Sequence, residues 1–270
     1  MTLATQGYAV LAAPAEAPHD PWLLVERLAG VRPRMVERQA IRPLPGGTSF
    51  AASSGFTPFH TDSQDYLGAP PALQVMICRR AAPAGGATRL VDGWALLEQL
   101  ERDDHALFEA LFAVARHHRF YFGDVRRPTV VAAGLLAWTH SPLPPSDPIG
   151  RSLDAALARA PVIELPIRDG EILLVDNHRM LHGRTAFTGE RDFTRLLAWL
   201  PAPLAEHPRY GARVARRPAP TSADARLAAV LELVLGAPPA RIAAREGISE
   251  AELYAWRTRA LAAARDALDD

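Results

Sequence analysis

Between Gly30 and Leu200 the chain consists largely of short apolar or alternating runs separated by proline and glycine, and this pattern limits the folds it can adopt. The clearest runs are Leu73 to Cys78, Thr88 to Val91, Val162 to Pro166, Glu171 to Val175 and Phe193 to Leu200. Many short strands punctuated by turn residues are typical of a β-sandwich or barrel. We therefore predict a mainly β domain with helical insertions.

Helical periodicity interrupts the strand pattern in a few places. Pro21 to Ala29 is predicted as a short helix, and Trp94 to Val114 as the main insertion. Asp154 to Arg159 is a weaker helical candidate. The apolar residues of the main insertion that recur at helical spacing are Leu96, Leu97, Leu100, Leu107, Leu111 and Phe112.

A change in composition near residue 205 predicts a domain boundary. Five prolines fall between Pro201 and Thr221, and the chain then becomes rich in Ala, Leu, Arg and Glu. We expect a main domain over residues 1–205, a Pro-rich linker over 206–222 and a small all-α module over 223–270. Its predicted helices are Ala223 to Leu235, Pro239 to Glu246 and Ser249 to Ala267, the last with Ser249 as N-cap and Glu252 at N3.

The overall charge gives no reason to expect a polyanionic partner. The 30 basic residues, all arginine, balance 30 acidic ones, and the pI is near 7.2. The single cysteine, Cys78, excludes an internal disulfide. No stretch approaches 18 uninterrupted apolar residues, and the N-terminus has no basic segment typical of a signal peptide. A cytoplasmic enzyme without a membrane span is the expectation.

One short motif carries candidate metal chemistry. His60 and Asp62 are two residues apart, so on an extended segment their side chains point to the same face. An imidazole and a carboxylate suit Fe(II), and a second histidine from a distant strand would complete a two-His-one-carboxylate triad. Alone, H-x-D occurs often by chance and is weak evidence.

Further motifs make the case specific. Gly85-Gly86-Ala87-Thr88 precedes an apolar strand, Asp176-Asn177 begins a segment that runs through His182-Gly183-Arg184, and Arg191 and Arg195 follow. In this order, over Gly46 to Leu200, the chain resembles the TauD/TfdA family of 2-oxoglutarate-dependent dioxygenases. The resemblance implies a double-stranded β-helix, or jelly roll. It also implies that His60, Asp62 and His182 bind Fe(II).

The resemblance also implies a site for the cosubstrate. Thr88 matches a hydroxyl donor to the distal carboxylate of 2-oxoglutarate, and Arg191 matches the guanidinium that pairs with it. Arg195 matches a contact to an anionic group of the prime substrate. Alternation places both arginines on one face of a strand. The short interval between His182 and Arg191 leaves open an exchange of roles between Arg191 and Arg195.

The other histidines have alternative explanations. His178 lies four residues before His182 and competes with it as a ligand, but the motif favours His182. His117 and His118 are adjacent, so on a strand they face opposite ways and cannot chelate together. We expect one of them to be buried and the other solvated.

Resemblance to this family implies a reaction with Fe(II), 2-oxoglutarate and O2. Decarboxylation of the cosubstrate would give succinate and CO2 while a C–H bond of a small substrate, anionic or amino-acid-like, is oxidised. The retained Asp62 favours hydroxylation, desaturation or another oxygenase-type outcome over halogenation, and the sequence does not distinguish among the first three. Residues flanking the iron motif are equally compatible with lining a substrate pocket and with packing the core; they are Ser53, Ser54, Phe56, Phe59, Gln64 and Tyr66.

The C-terminal module resembles the helix-turn-helix of insertion-sequence transposases over Arg241 to Glu250 and at Leu253, Tyr254, Trp256 and Arg257. That likeness would imply DNA binding by the last helix, and a regulator that senses iron or 2-oxoglutarate is the alternative to an enzyme. Residues 212–270 hold nine arginines and eight acidic residues, so a strong basic footprint is missing. The charge balance favours a module that covers the active site, forms a homo-oligomer or docks a peptide or carrier protein.

Overall fold

The computed structural model describes residues 3–13, 20–63, 69–120, 123–132, 136–211 and 223–269. Their helices are α1 Leu3–Gln6, α2 Pro21–Ala29, α3 Gly93–Asp103, α4 His105–Ala113, α5 Pro148–Leu157, α6 Ala223–Val234, α7 Pro239–Glu246 and α8 Glu250–Asp269. Their strands are β1 Tyr8–Ala12, β2 Met35–Ile41, β3 Thr57–His60, β4 Leu73–Arg80, β5 Ala84–Gly85, β6 Thr88–Asp92, β7 Arg116–Phe120, β8 Gly123–Arg127, β9 Val130–Ala132, β10 Leu136–Trp138, β11 Ile163–Leu165, β12 Glu171–Asp176, β13 Met180–Arg184, β14 Phe187–Thr188 and β15 Asp192–Trp199. Of these described helices, none has the length and apolar character needed to cross a bilayer. The prediction of a mainly β chain with helical insertions is confirmed.

The larger of the two main sheets has five antiparallel strands in the order β1-β12-β4-β15-β2. Its central strands β4, β12 and β15 are the apolar runs predicted from the sequence, with ends moved by one or two residues. Cys78 is buried on β4, and burial raises the pKa of its thiol to about 11. This cysteine is therefore a packing residue, not a nucleophile.

The smaller sheet has four antiparallel strands in the order β11-β6-β13-β3. Its inner strand β6 begins at Thr88, the last residue of the glycine-threonine motif, and its inner strand β13 carries His182 of the second histidine motif. β3 pairs with β13 at the edge, and this pairing places His60 directly opposite His182. Residues 122 positions apart in sequence are thus brought together by backbone register.

The two sheets face each other across an apolar layer. Leu90 and Met180 from the smaller sheet pack with Leu173, Val175 and Phe193 from the larger one. Residues two apart on a strand point to the same face. The inward face that carries these apolar residues therefore also carries the polar residues of the candidate site. The core and the site therefore share one layer.

The insertion predicted over Trp94 to Val114 is two helices, not one. Asp104 separates α3 from α4, and its carboxylate accepts a hydrogen bond from the Leu107 N–H, which caps α4. The weak helix predicted at Asp154 to Arg159 is instead α5, which begins earlier, at Pro148 after the N-cap Asp147. A Pro directly after an N-cap is a start signal that the apolar pattern alone did not reveal.

The helices α6, α7 and α8 pack around Val230, Ile242, Leu253 and Trp256. Their bounds agree closely with those predicted, and the Ser249 hydroxyl accepts the predicted capping bond from the Glu252 N–H at 3.1 Å. Of the linker predicted over 206–222, residues 206–211 are described, and His207, Arg209 and Tyr210 among them contact acidic side chains of α3. Residues 212–222 lie outside the described residues.

The early part of the predicted linker is held in place by a cluster of rings and acids. His207 stacks on Tyr210 and contacts the edge of Trp94. The Tyr210 hydroxyl donates to the Glu101 carboxylate at 2.8 Å. These contacts fix the position of an irregular segment that forms no helix or strand over residues 201–211.

Candidate metal centre and its cavity

Three potential metal ligands converge between the sheets. The Nε2 atom of His60 lies 4.0 Å from Oδ1 of Asp62, and Nε2 of His182 lies 3.6 Å from Oδ2 of Asp62. Ligand atoms of all three residues lie within 4.8 Å of one another, and no other such cluster occurs among the residues that the structure describes. The structure thus brings together the three residues that were predicted from the sequence as metal ligands.

Backbone pairing accounts for the position of each histidine. His60 ends β3 and His182 lies in the middle of β13, so their rings stand side by side with centroids 4.3 Å apart. The next residue, Gly183, must be glycine, because a Cβ there would lie 2.6 Å from the Thr57 carbonyl oxygen. The glycine allows β3 to approach β13 closely enough for the two imidazoles to meet.

Asp62 lies beyond the end of β3, where it has lost its strand partner. The Thr61 N–H donates to the His140 carbonyl oxygen at 3.1 Å, and the Asp62 N–H donates to Oδ1 of Asn177 at 2.8 Å. The following residue, Ser63, has a positive φ of 53°, an unfavourable conformation for a side chain with a Cβ. The carboxylate is therefore positioned by a turn that other parts of the chain hold in shape.

Both oxygens of the Asp62 carboxylate accept hydrogen bonds. The Gln74 amide donates to Oδ2, and the Arg195 guanidinium donates to Oδ1. Nε2 of Gln74 also lies 3.0 Å from Nε2 of His182. Gln74 therefore contacts two of the three candidate ligands at once.

The protonation states of the three residues suit a metal. Burial lowers the pKa of His182 to about 3 and also lowers that of His60, so both rings are neutral near pH 7. Burial opposes ionisation of Asp62, but Arg195 and the two histidines hold its pKa below the usual value. Nδ1 of His60 is 2.9 Å from the Pro58 carbonyl oxygen, which favours a proton on Nδ1 and leaves the Nε2 lone pair free.

A divalent ion fits this donor set. Neighbouring ligand atoms held about 2.1 Å from a metal in octahedral geometry lie about 3 Å apart, slightly less than the separations seen here. A small inward movement of the side chains would close the difference. Two imidazoles and one carboxylate form a facial set that leaves further coordination positions open, and this set is typical of non-haem Fe(II).

A cavity of about 520 Å³, including its open mouth, extends from the candidate metal ligands. Arg184, Arg191 and Arg195 line it, and its described lining contains no acidic residue. The lining residues are Ile41, Phe50, Ala51, Thr57, His60, Gln74, Met76, Thr88, His182, Gly183, Arg184, Arg191 and Arg195. A cavity that contains three arginines and no described acidic residue beside a metal site is suited to an anion.

Arg191 lies at the buried end of this cavity and is 4% exposed. Its guanidinium lies over the Phe193 ring at 3.7 Å, and no carboxylate pairs with it in the part of the chain that the structure describes. Burial lowers its pKa to about 10, with Arg184 adding repulsion, so the side chain remains cationic at neutral pH. The hydroxyl-bearing Thr88 lines the same cavity.

Arg184 is the third cavity arginine, and the protein backbone holds it. Its guanidinium donates to the carbonyl oxygens of Ser53 at 2.9 Å and Gly55 at 2.8 Å. It also contacts the Phe50 carbonyl oxygen at 3.4 Å. Arg184 thus fixes the loop before β3, whereas Arg191 has no such partner within the described ranges and is available to a ligand.

The predicted competitor His178 is not part of the metal cluster. Its ring is buried, and Nε2 lies 2.9 Å from the Pro70 carbonyl oxygen. His118 is buried on β7 and His117 is exposed, as their adjacency predicted. Phe56 is half exposed, with Arg89 over its ring and that of Phe59; Gln64 and Tyr66 lie outside the described residues.

Three residues of the site were not predicted from the sequence. Gln74 is a lone amide inside an apolar strand, a signal that was present but not used. Asn177 belongs to a quoted motif but received no role. The Thr57 hydroxyl is buried in the cavity lining without a hydrogen-bond partner among the described residues, and nothing in the sequence marks it.

The sequence of this chain is similar to one family of known proteins. The model of the family described as "Taurine catabolism dioxygenase TauD, TfdA family" matches residues 28–147 and 139–197. Mitochondrial trimethyllysine dioxygenase of Gallus gallus is 31% identical over 158 residues, covering 49% of this chain and 38% of that protein. The Homo sapiens enzyme is 29% identical over 160 residues, covering 49% and 37%. The match thus spans well under half the length of these relatives.

Two solved structures are similar in fold. An asparagine oxygenase in complex with Fe(II), 2S,3S-3-hydroxyasparagine and succinate gives a TM-score of 0.55 at 19% identity, over 72% of this chain and 74% of that one. The non-haem iron oxygenase OrfP, in complex with Fe and alpha-ketoglutaric acid, gives 0.52 at 17% identity, over 72% and 75%. At these identities the likeness establishes the fold alone.

Proposed function

Because this chain belongs to the TauD/TfdA family of dioxygenases, we propose that it is an Fe(II)- and 2-oxoglutarate-dependent oxygenase. In this proposal it oxidises, by hydroxylation, an unactivated C–H bond of a small substrate and releases succinate and CO2. The observation that carries the proposal is the convergence of His60, Asp62 and His182 beside a cationic cavity.

We assign Fe(II) to the His60, Asp62 and His182 side chains. Two neutral imidazoles and an ionised carboxylate supply the donors, and their burial excludes most water from one side of the ion. When bound, iron with 2-oxoglutarate supplies the oxidising chemistry, with O2 as co-reactant. The protein's share is ligation, orientation and protection from solvent.

We assign the distal carboxylate of 2-oxoglutarate to Arg191 and Thr88. A buried guanidinium without a carboxylate partner is costly, and a ligand carboxylate would neutralise it. Arg184 raises the positive potential of the same cavity and so favours an anion. The Thr57 hydroxyl, buried and unpaired within the described residues, is a further candidate donor to the cosubstrate.

We assign Arg195 to the side of the site where the prime substrate enters. Its guanidinium reaches Asp62 on one side and Gln39 of the edge strand β2 on the other, and it is more exposed than Arg191. This placement supports the original assignment of the two arginines over the exchanged one. An anionic or amino-acid-like substrate agrees with Arg195 and with the amino-acid product in the similar asparagine oxygenase.

No specific feature favours the alternative, a DNA-binding regulator. In a helix-turn-helix the N-terminal residues of the second helix approach the DNA. The first turn of α8 carries Glu250 and Glu252, which would repel phosphates. We therefore propose that α6 to α8 support the barrel or contact a protein partner.

The test is substrate-stimulated succinate formation. The protein would be loaded anaerobically with Fe(II) and 2-oxoglutarate, and amino acids, sulfonates and peptide-bound residues screened after O2 is admitted. The proposal predicts that at least one compound raises succinate release in step with its own oxidation, and that Asp62→Ala abolishes both. Equal succinate from wild type and Asp62→Ala would contradict it.

A further inference from the structure

The side chain of Asn177 hydrogen-bonds to the backbone of two residues that are apart in sequence, Asp62 and Pro71. Oδ1 of Asn177 accepts from the Asp62 N–H at 2.8 Å, and Nδ2 donates to the Asp62 carbonyl oxygen at 3.2 Å. The same Nδ2 donates to the Pro71 carbonyl oxygen at 3.0 Å. Asn177 therefore connects the start of the 62–71 segment to its end.

Asn177 can hold both of these backbone groups because its own backbone is fixed by a hydrogen bond. It is fully buried, and its own N–H donates to the Ala72 carbonyl oxygen at 3.0 Å. It lies in the turn between β12 and β13, five residues before His182. The turn that leads into β13, the strand of the third candidate ligand, thus holds the backbone of the second.

The Asp62 backbone needs such a partner. β3 ends at His60, so the next peptide groups have no strand to pair with. Buried N–H and C=O groups left unpaired cost free energy, and an amide side chain presents a donor and an acceptor side by side. Asn177 satisfies both Asp62 backbone groups as a neighbouring strand would.

We infer that Asn177 is a positioning residue for the metal centre: it acts through Asp62, holding that residue beside His182 so that both can bind one metal ion. The inference rests on the proposed function. Partners that orient a metal ligand contribute about 10- to 100-fold to metal affinity. Because Asn177 belongs neither to the candidate ligand set nor to the described cavity lining, its effect should disappear when Asp62 no longer binds the metal.

The experiment is a double-mutant cycle on Ni(II) affinity, measured by calorimetry on the full chain without 2-oxoglutarate. Ni(II) is chosen because its strong affinity for imidazole keeps binding measurable when only two histidines remain. The variants are Asn177→Ala, Asp62→Ala and the double variant. Asn177→Ala should weaken Ni(II) binding about tenfold or more in the wild-type background. In the Asp62→Ala background the same change should alter affinity by less than about twofold.

His178→Leu is the matched control. His178 is the next residue, is also buried, and bonds the exit of the same segment through Pro70 without touching Asp62. It should lower thermal stability, since it leaves the Pro70 carbonyl unpaired, but change Ni(II) affinity by less than about twofold. An equal loss of affinity in His178→Leu and Asn177→Ala would overturn the inference, because both would then act through general loosening of the segment.

A loss from Asn177→Ala that persists unchanged in the Asp62→Ala background would also overturn it. If Asn177→Ala does not fold, Asn177→Asp keeps the acceptor for the Asp62 N–H and loses the amide donors. The negative charge that Asn177→Asp introduces acts directly on the ion in both the wild-type and the Asp62→Ala backgrounds, so this direct effect cancels when the two are compared. Absence of Ni(II) binding by the wild type would instead contradict the proposed function, so the two failures are distinguishable.

Discussion

Arg191 offers the sharpest test of how the cavity binds its cosubstrate. The guanidinium is 4% exposed, cationic and without a carboxylate partner among the described residues, so a ligand carboxylate there would form charge-assisted bonds shielded from water. Truncating one partner of such a pair costs about 2–4 kcal/mol, which corresponds to roughly 30- to 1000-fold in dissociation constant. Arg191→Ala should raise the dissociation constant of 2-oxoglutarate by that factor.

The assay is anaerobic titration of 2-oxoglutarate into protein loaded with Mn(II), which reports binding without turnover. Arg195→Ala is the comparison, because its guanidinium already bonds Asp62 and Gln39 and is less buried. It should change the dissociation constant far less than Arg191→Ala does. A larger effect from Arg195→Ala would show that the two arginines have exchanged roles.

Removing the Arg191 charge should weaken cosubstrate binding but should not lower the stability of the ligand-free protein. Burial depresses the pKa of Arg191, so at neutral pH the folded state carries the full cost of an unpaired buried charge. Arg191→Met, which keeps an apolar stem of similar length, should therefore leave the ligand-free protein as stable or more stable in thermal unfolding, while 2-oxoglutarate binding is lost. A large drop in melting temperature would mean that Arg191 is mainly a packing residue.

The remaining predictions concern the metal ligands and the backbone around them. Asp62→Ala should abolish oxygenation and weaken Ni(II) binding in calorimetry, and unchanged turnover would remove Asp62 from the iron site. The metal-free protein should lose stability as the pH falls below about 6.5, because burial lowers the pKa of His118 and His182 to about 3 and that of His178 to about 4; these rings bind protons in the unfolded state first. At pH 5.5 the three together should cost roughly 4 kcal/mol relative to pH 8, and Asp176, whose pKa burial raises to about 7, should offset roughly 2 kcal/mol of this. Urea unfolding should therefore show a net loss of roughly 2 kcal/mol, and a flat profile would contradict the burial of these rings in their neutral form. Ser63→Gly should raise the unfolding free energy by about 1 kcal/mol, since glycine adopts a positive φ without a Cβ clash; a destabilised variant would show that the Ser63 side chain has a role that outweighs the strain.

Much of the fold could be read from periodicity. The run Glu171 to Val175 was predictable as a strand because a strand that lies between two neighbouring strands is apolar on both faces. The start of α8 was predictable from its N-cap residue, Ser249. The break at Asp104 was missed, because one apolar pattern continued through two helices. The early linker residues His207 and Tyr210 were missed because their order comes from tertiary contacts with α3.

The candidate ligands could be predicted because ligand type and spacing are local properties of sequence. Their convergence depends on the register between β3 and β13, which only the structure supplies. Asn177 and Gln74 could not be assigned roles, since each acts across more than ten residues on a partner that the sequence does not identify. Residues that orient a ligand are defined by tertiary contacts more than by motif.

The most direct test is an anaerobic crystal structure of the protein loaded with Fe(II) and 2-oxoglutarate. The account predicts one iron bound by His60 Nε2, a carboxylate oxygen of Asp62 and His182 Nε2, each at about 2.0–2.2 Å, with the distal carboxylate of 2-oxoglutarate on Arg191 and Thr88. Iron bound elsewhere, or a cavity in which His182 turns away from the metal, would contradict it.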